Sequence, residues 1–204
     1  MKRISSICII VLLILLCISE FSLFQKNNHL RKLVSTKENQ IGSLAMDKDL
    51  LLNNMQMQYA NNGYQLNDFL LTNITGSTLK LSNLLDDHYK IIFRFSYLHC
   101  SSCVEFELKN IIEIAERMPK DRIIIIAEYD NKRGFSAFTK AHNITLPIYF
   151  LSENTHADNI LQDENIPYVC LMDKKMKIEH LFIPIKEVPI YSERYYHHII
   201  QRYF

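Results

Sequence analysis

A chain of 204 residues, 48% hydrophobic and 22% charged, is long enough for one domain with a full core plus an appendage, and too short for two such domains. Its 23 Lys and Arg against 22 Asp and Glu leave a net charge of +1, which gives no reason to expect nucleic acid or an anionic surface as partner. The five cysteines fall as two in an N-terminal apolar run, a close pair and one alone, which is not the pattern of a disulfide scaffold.

Lys2 and Arg3 precede an apolar run over residues 7–16, and apolar character resumes after Glu20 with Phe21, Leu23 and Phe24. Residues 4–24 are long enough to span a bilayer and read as an uncleaved anchor within a membrane segment 1–27. A cleaved signal peptide competes, because Cys17-Ile18-Ser19 offers fairly small residues to a signal peptidase. A lipoprotein site at Cys17 is opposed by the bulky Leu16 before it. Basic residues on both sides of the span leave the positive-inside rule equivocal. The short stretch before the apolar run favours a C-terminal domain outside the cytoplasm, which is the periplasm if the cell is Gram-negative.

Residues 28–62 hold no Pro and only Gly42. Val34, Ile41, Leu44, Leu51 and Met55 follow heptad seams interrupted by Lys37 and Lys48. This predicts a helical stalk, either a coiled coil that pairs two copies or a helix lying on its own domain. Asn61-Asn62-Gly63 punctuates the chain, and a single domain is expected over residues 63–204.

Within that domain Thr75-Gly76-Ser77 predicts a hairpin turn, and residues 90–95 a strand that delivers the chain to Cys100. Val104, Leu108, Ile111, Ala115 and Met118 recur at helical spacing, with Glu105, Glu107, Lys109, Glu113 and Glu116 placed off that stripe, until Pro119 ends the helix. Four consecutive isoleucines at 123–126 predict a strand covered on both faces of a parallel sheet. A helix over 132–142, a strand over 146–151, a polar loop over 154–164, a hairpin of strands 168–172 and 178–183, and a closing helix from Pro189 complete the chain. The alternation argues for an α/β sandwich with a mixed central sheet flanked by helices.

The pair Cys100-Ser101-Ser102-Cys103 carries the chemistry. A thiol where a strand hands over to a helix sees unsatisfied backbone N–H groups and the positive end of the helix, which favour thiolate. Cys100 is then the attacking thiol. Cys103, one turn on, is the resolving thiol. Half of a zinc site is the competing reading, but it needs a second CxxC or a paired His motif; the eight histidines are scattered. No metal is therefore assigned.

Residues 76–204 resemble the thioredoxin superfamily, and within it the membrane-anchored TlpA/ResA-type thiol-disulfide oxidoreductases. The resemblance lies in the segment Gly76-Ser77-Thr78-Leu79-Lys80-Leu81, the junction of residues 91–100, and Ile166-Pro167-Tyr168-Val169. It implies a thioredoxin-like three-layer sandwich behind a transmembrane helix and stalk. It also implies a cis peptide at Pro167 lying against the cysteine pair, with Ile166, Pro167 and His99 lining the substrate strip. On the residues alone Pro167 is a trans strand-starter. The implied activity is disulfide exchange with extracytoplasmic protein thiols and an unidentified redox partner, with no cofactor beyond the Cys100–Cys103 disulfide.

Departures from the family pattern bear on the redox poise. His99 stands where a Trp is usual, and as an imidazolium would favour the Cys100 thiolate; as an exposed ring it would do nothing. Arg94 replaces a buried acid and is expected to snorkel to the sheet's end. Glu105 and Glu128 are candidate substitutes for that acid. Cys170 is expected to be buried and inert. Two other functions compete on this fold: a copper-holding module through His99, Cys100 and Cys103, or a low-turnover adaptor; and a thiol peroxidase, weakened because Tyr97-Leu98-His99 lacks the family's threonine.

Overall fold

The computed structural model describes residues 2–152 and 166–204, with side chains from residue 15 onward. The loop expected at 154–164 lies outside the described residues. Two compact units, Met1–Asn53 and Asn54–Phe204, share one long helix, α1 (Lys2–Asn61). In the first unit the seam residues Val34, Ile41 and Leu44 are all exposed. Among the described residues no helix is long and apolar enough to cross a membrane, and the side chains of residues 4–14, most of the expected anchor, lie outside them.

In the second unit the last two turns of α1 are tied into the domain. Buried Asn54 donates from Nδ2 to the Ile183 carbonyl at 2.6 Å, and its Oδ1 accepts from Gln58 Nε2 at 2.6 Å. The chain then turns at Gly63, whose φ of +91° suits a residue without Cβ, and the Gly63 N–H reaches the Ile178 carbonyl at 2.7 Å.

The hairpin at Thr75-Gly76-Ser77 joins β1 (Leu70–Asn73) to β2 (Thr78–Lys80). Asn73 Oδ1 accepts from the N–H groups of Thr75 (3.0 Å) and Ser77 (2.9 Å), so one side chain closes the turn. Then follow β3 (Lys90–Ser96), α2 (Ser101–Ile114), β4 (Ile123–Tyr129), α3 (Lys132–Ala141), β5 (Ile148–Ser152), β6 (Tyr168–Met172), β7 (Glu179–Phe182) and α4 (Pro189–Tyr203). Helix α2 stops at Ile114, so Met118, expected on its stripe, lies beyond it.

Among the described residues one seven-stranded sheet takes the order β2-β1-β5-β4-β3-β6-β7. Strands β3, β4 and β5 run parallel, and β6 runs antiparallel to β3. The isoleucine run explains why β4 sits inside: Ile123 and Ile125 point to one core, Ile124 and Ile126 to the other, and all four are at most 3% exposed. The first core is covered by α2, α3 and α4 through Val104, Leu108, Ile111, Phe135, Tyr196 and Ile199. The second is closed by Leu66, Phe69, Leu71, Leu81 and Leu85, with Met57 from the end of α1 against it.

Glu107 departs from the predicted polar face of α2. It is fully buried at the α2–α4 contact, where Oε2 accepts from Asn110 Nδ2 (3.0 Å) and Ser192 Oγ (3.2 Å) and Oε1 from the Tyr196 hydroxyl. Burial raises its pKa, against these hydrogen bonds. The geometry follows from helical spacing: 104, 107, 108 and 111 share one face, so Glu107 belongs on the buried stripe.

Candidate active site

Strand β3 is buried along its whole length and parallel to β4, so it ends in the interior of the sheet's C-terminal edge. The turn Tyr97-Leu98-His99 carries the chain out of it. The Tyr97 N–H reaches the Glu128 carbonyl (2.9 Å), the His99 N–H the Ser96 carbonyl (3.0 Å), and the Leu98 N–H the Ser96 hydroxyl (3.3 Å). This turn sets Cys100 as the N-cap of α2, with its carbonyl accepting from the N–H groups of Cys103 (3.0 Å) and Val104 (3.1 Å).

The two thiols differ sharply in setting. Cys100 is exposed; Cys103, in the first turn, is partly buried. Their Sγ atoms are 2.7 Å apart and not bonded to each other. The thiol hydrogen bond from Cys103, then that from Ser102 Oγ at 3.3 Å, the Cys103 N–H and the charge of Lys186 hold the Cys100 pKa down to about 7. Burial, and the neighbouring Cys100 sulfur, push Cys103 up to about 11. We therefore expect alkylation of reduced protein by iodoacetamide to rise with pH about a midpoint near 7 at Cys100, while Cys103 stays unmodified until strongly alkaline pH. Mass spectrometry of the two positions across a pH series checks this, and equal labelling of both at pH 7 would contradict it.

His99 is neither an imidazolium nor an exposed bystander. Its ring Nδ1 accepts from the Ser96 N–H at 3.2 Å, which leaves the proton on Nε2. Burial and then the positive charge of Arg94 depress its pKa to about 4, so the ring is neutral at pH 7. His99 latches the turn from which Cys100 emerges, and adds no charge to the sulfur.

Arg94 does not snorkel. It is 5% exposed, and its Nη2 pairs with Glu128 Oε2 at 3.1 Å, both side chains being nearly inaccessible. Burial favours its neutral form, but Tyr168 and Glu128 outweigh that and keep it charged. Arg94 thus links β3 to β4 and to β6. Of the two candidate acids, Glu105 is exposed and Glu128 is committed to Arg94.

Pro167 is buried immediately before β6, whose first residue Tyr168 is registered against Arg94. Because β6 is antiparallel to β3, Pro167 and the partly buried Ile166 lie at the end of the sheet from which the cysteine turn leaves. The expected cis peptide is not found: every peptide bond among the described residues is trans. Trans is the intrinsically favoured form before proline by ~0.5–1 kcal/mol, and it is the strand-starter geometry that the residues alone suggest.

Cys170 lies in β6 opposite Ile92, at 0% exposure, and burial raises its pKa to about 12. Among the described residues no three His, Cys, Asp or Glu side chains are grouped to hold a metal. The residue that sequence reasoning missed is Lys186, whose Nζ lies 2.6 Å from Ser102 Oγ across 84 positions of chain. Its one visible signal is a loop bracketed by Pro184 and Pro189, which fixes a course but names no target.

No protein-family model matches the chain, and no curated protein is significantly similar to it. Among solved structures it is similar to the thioredoxin domain of a thiol-disulfide oxidoreductase from Bacteroides vulgatus, at 13% identity over 65% of this chain and 94% of that one, TM-score 0.48. Peroxidoxin BcpB from Mycobacterium tuberculosis is similar at 16% identity over 70% and 97%, TM-score 0.49. The exposed lipoprotein thioredoxin of Streptococcus pneumoniae is similar at 18% identity over 63% and 96%, TM-score 0.44. These likenesses are remote. The fold is thioredoxin-like by its own features: a central parallel strand leading through CxxC into a helix, with an antiparallel strand beside it that a proline immediately precedes.

Proposed function

We propose that the chain is a membrane-tethered thiol-disulfide oxidoreductase acting on extracytoplasmic protein thiols. The observation that carries the reading is the inequality of two touching thiols: Cys100 exposed with a pKa near 7, Cys103 half-buried near 11. The Cys100 thiolate attacks a substrate disulfide, forming one S–S bond and releasing one substrate thiolate. Cys103 then loses its proton to that departing thiolate or to water and attacks Cys100 Sγ. The second substrate sulfur leaves, the substrate is reduced by two electrons, and Cys100–Cys103 becomes the disulfide.

A pKa near ambient pH is the optimum for an attacking thiol, because a lower one sacrifices nucleophilicity. It also stabilises the dithiol only moderately, which supports reduction of substrates over their oxidation. A protein dithiol of more negative potential must then recharge the pair. The tether rests on the apolar character of residues 4–24.

Trapping with Cys103→Ser in native membranes tests both parts. We expect mixed disulfides through Cys100, recovered with the membrane after a carbonate wash. Adducts in the soluble fraction would remove the tether, and absence of adducts would remove the exchange activity.

A further inference from the structure

We propose that Lys186 is a positioning residue for Cys100, acting through Ser102: the lysine ammonium donates to Ser102 Oγ, and the serine hydroxyl in turn donates to the Cys100 sulfur. The inference rests on the reading of Cys100 as the attacking thiol, and goes beyond it by naming what holds that thiolate.

The direction of the relay follows from the donor inventory. Lys186 Nζ sits 2.6 Å from Ser102 Oγ, and an ammonium can only donate. The serine oxygen is therefore the acceptor in that contact, and its own single proton is left for another acceptor. Toward a Cys100 thiolate, 3.3 Å away and with no proton to give, that hydroxyl can only donate. Toward a protonated Cys100 the serine can still accept through its second lone pair, so the relay acts on the thiolate form. The lysine ammonium on the serine oxygen polarises the hydroxyl, so the hydrogen bond that the thiolate receives is backed by a positive charge.

The loop that carries Lys186 is held in place. Ile183 and Ile185 before it are buried, the Val188 N–H returns to the Ile185 carbonyl at 3.0 Å, and Pro189 opens α4. Among the described residues the charged and titratable groups facing the Cys100 sulfur are Cys103 from α2 and, from this loop, Lys186, with Glu187 beside it at 3.9 Å. Glu187 raises the pKa of Cys103 and Lys186 lowers that of both thiols, so the loop acts unevenly on the pair. When Cys100 and Cys103 are joined as a disulfide, the sulfur carries no charge to receive the bond. The relay therefore favours the reduced form.

The test is the pH midpoint of Cys100 alkylation in reduced full-length protein, read by mass spectrometry, for Lys186→Met, Ser102→Ala, the double variant and Lys186→Arg. We expect the rate at pH 7 to fall about 3- to 10-fold in each of the first two, with the midpoint moved upward. The double variant should be no slower than either, because one relay is broken only once. Lys186→Arg should restore most of the rate, since a guanidinium also donates. Unchanged midpoints in folded Lys186→Met, or losses that multiply in the double variant, would overturn the relay while mixed disulfides in Cys103→Ser kept the exchange reading standing. A wild-type midpoint near the ordinary thiol value, with no adducts in Cys103→Ser, would end both.

Discussion

Cys100→Ser should abolish disulfide reduction, lowering turnover of insulin or of a trapped substrate by at least about 10³-fold, while Cys103→Ser should leave the first attack intact and stop the second. The two losses differ in kind. A serine hydroxyl at position 100 has no thiolate to offer at any accessible pH, so no substrate bond forms. A serine at position 103 removes the nearest sulfur, 2.7 Å from Cys100, and the mixed disulfide persists until another thiol arrives. Single-turnover kinetics separates the cases: Cys103→Ser should release one substrate thiol per chain in a burst, and Cys100→Ser none. The same burst from both variants would mean that neither order of attack holds and that the pair is not an attacker and a resolver.

Arg94→Leu should cost about 3–5 kcal/mol of domain stability, because it leaves the Glu128 carboxylate buried with its charge uncompensated. For a domain of this size that corresponds to a fall in Tm of roughly 6–20 °C. The pair sits with side chains 6% and 8% exposed, so water cannot take over the role of the missing guanidinium. The double variant Arg94→Leu/Glu128→Leu should recover most of the loss, since a buried ion pair and a well-packed apolar pair of similar size differ little in net stability. A loss under about 1 kcal/mol in Arg94→Leu would show that Glu128 finds solvent and that the pair does not hold β3 to β4. The effect should also reach the cysteine turn. Arg94 is one of the two causes that keep His99 neutral, so its removal should raise the His99 pKa, visible as a shifted ring titration by NMR.

The fold was legible where a local pattern has one physical meaning. The isoleucines of β4 can be satisfied only by two apolar layers, and a strand candidate followed at once by CxxC and a helical stripe places both sulfurs at the first turn of a helix. The turn at Gly76 needed a residue free to take positive φ, and the sequence put glycine there. Legibility failed where the outcome depends on neighbours brought from afar. The charge on His99 is set by burial and by Arg94, neither of which a sequence neighbour reveals. Arg94 is matched by Glu128 across β4 and by Tyr168 across β6, partners that become visible only with the strand order. Lys186 reaches Ser102 through a loop whose course depends on the packing of Ile183 and Ile185. Glu107 is a different failure, because its spacing from Val104 and Ile111 placed it on the buried face and its chemistry argued it off.

Cys170 gives the molecule a built-in stopwatch for its own unfolding. It sits in β6 with a strand on either side and no exposed surface, so a thiol reagent reaches it only when the sheet opens. With Cys100 and Cys103 oxidised to each other, modification of residue 170 times that opening in the unaltered chain, without an introduced label. The same position can therefore report, molecule by molecule, how much each substitution at Arg94 or Lys186 loosens the scaffold apart from what it does to the reactive sulfur.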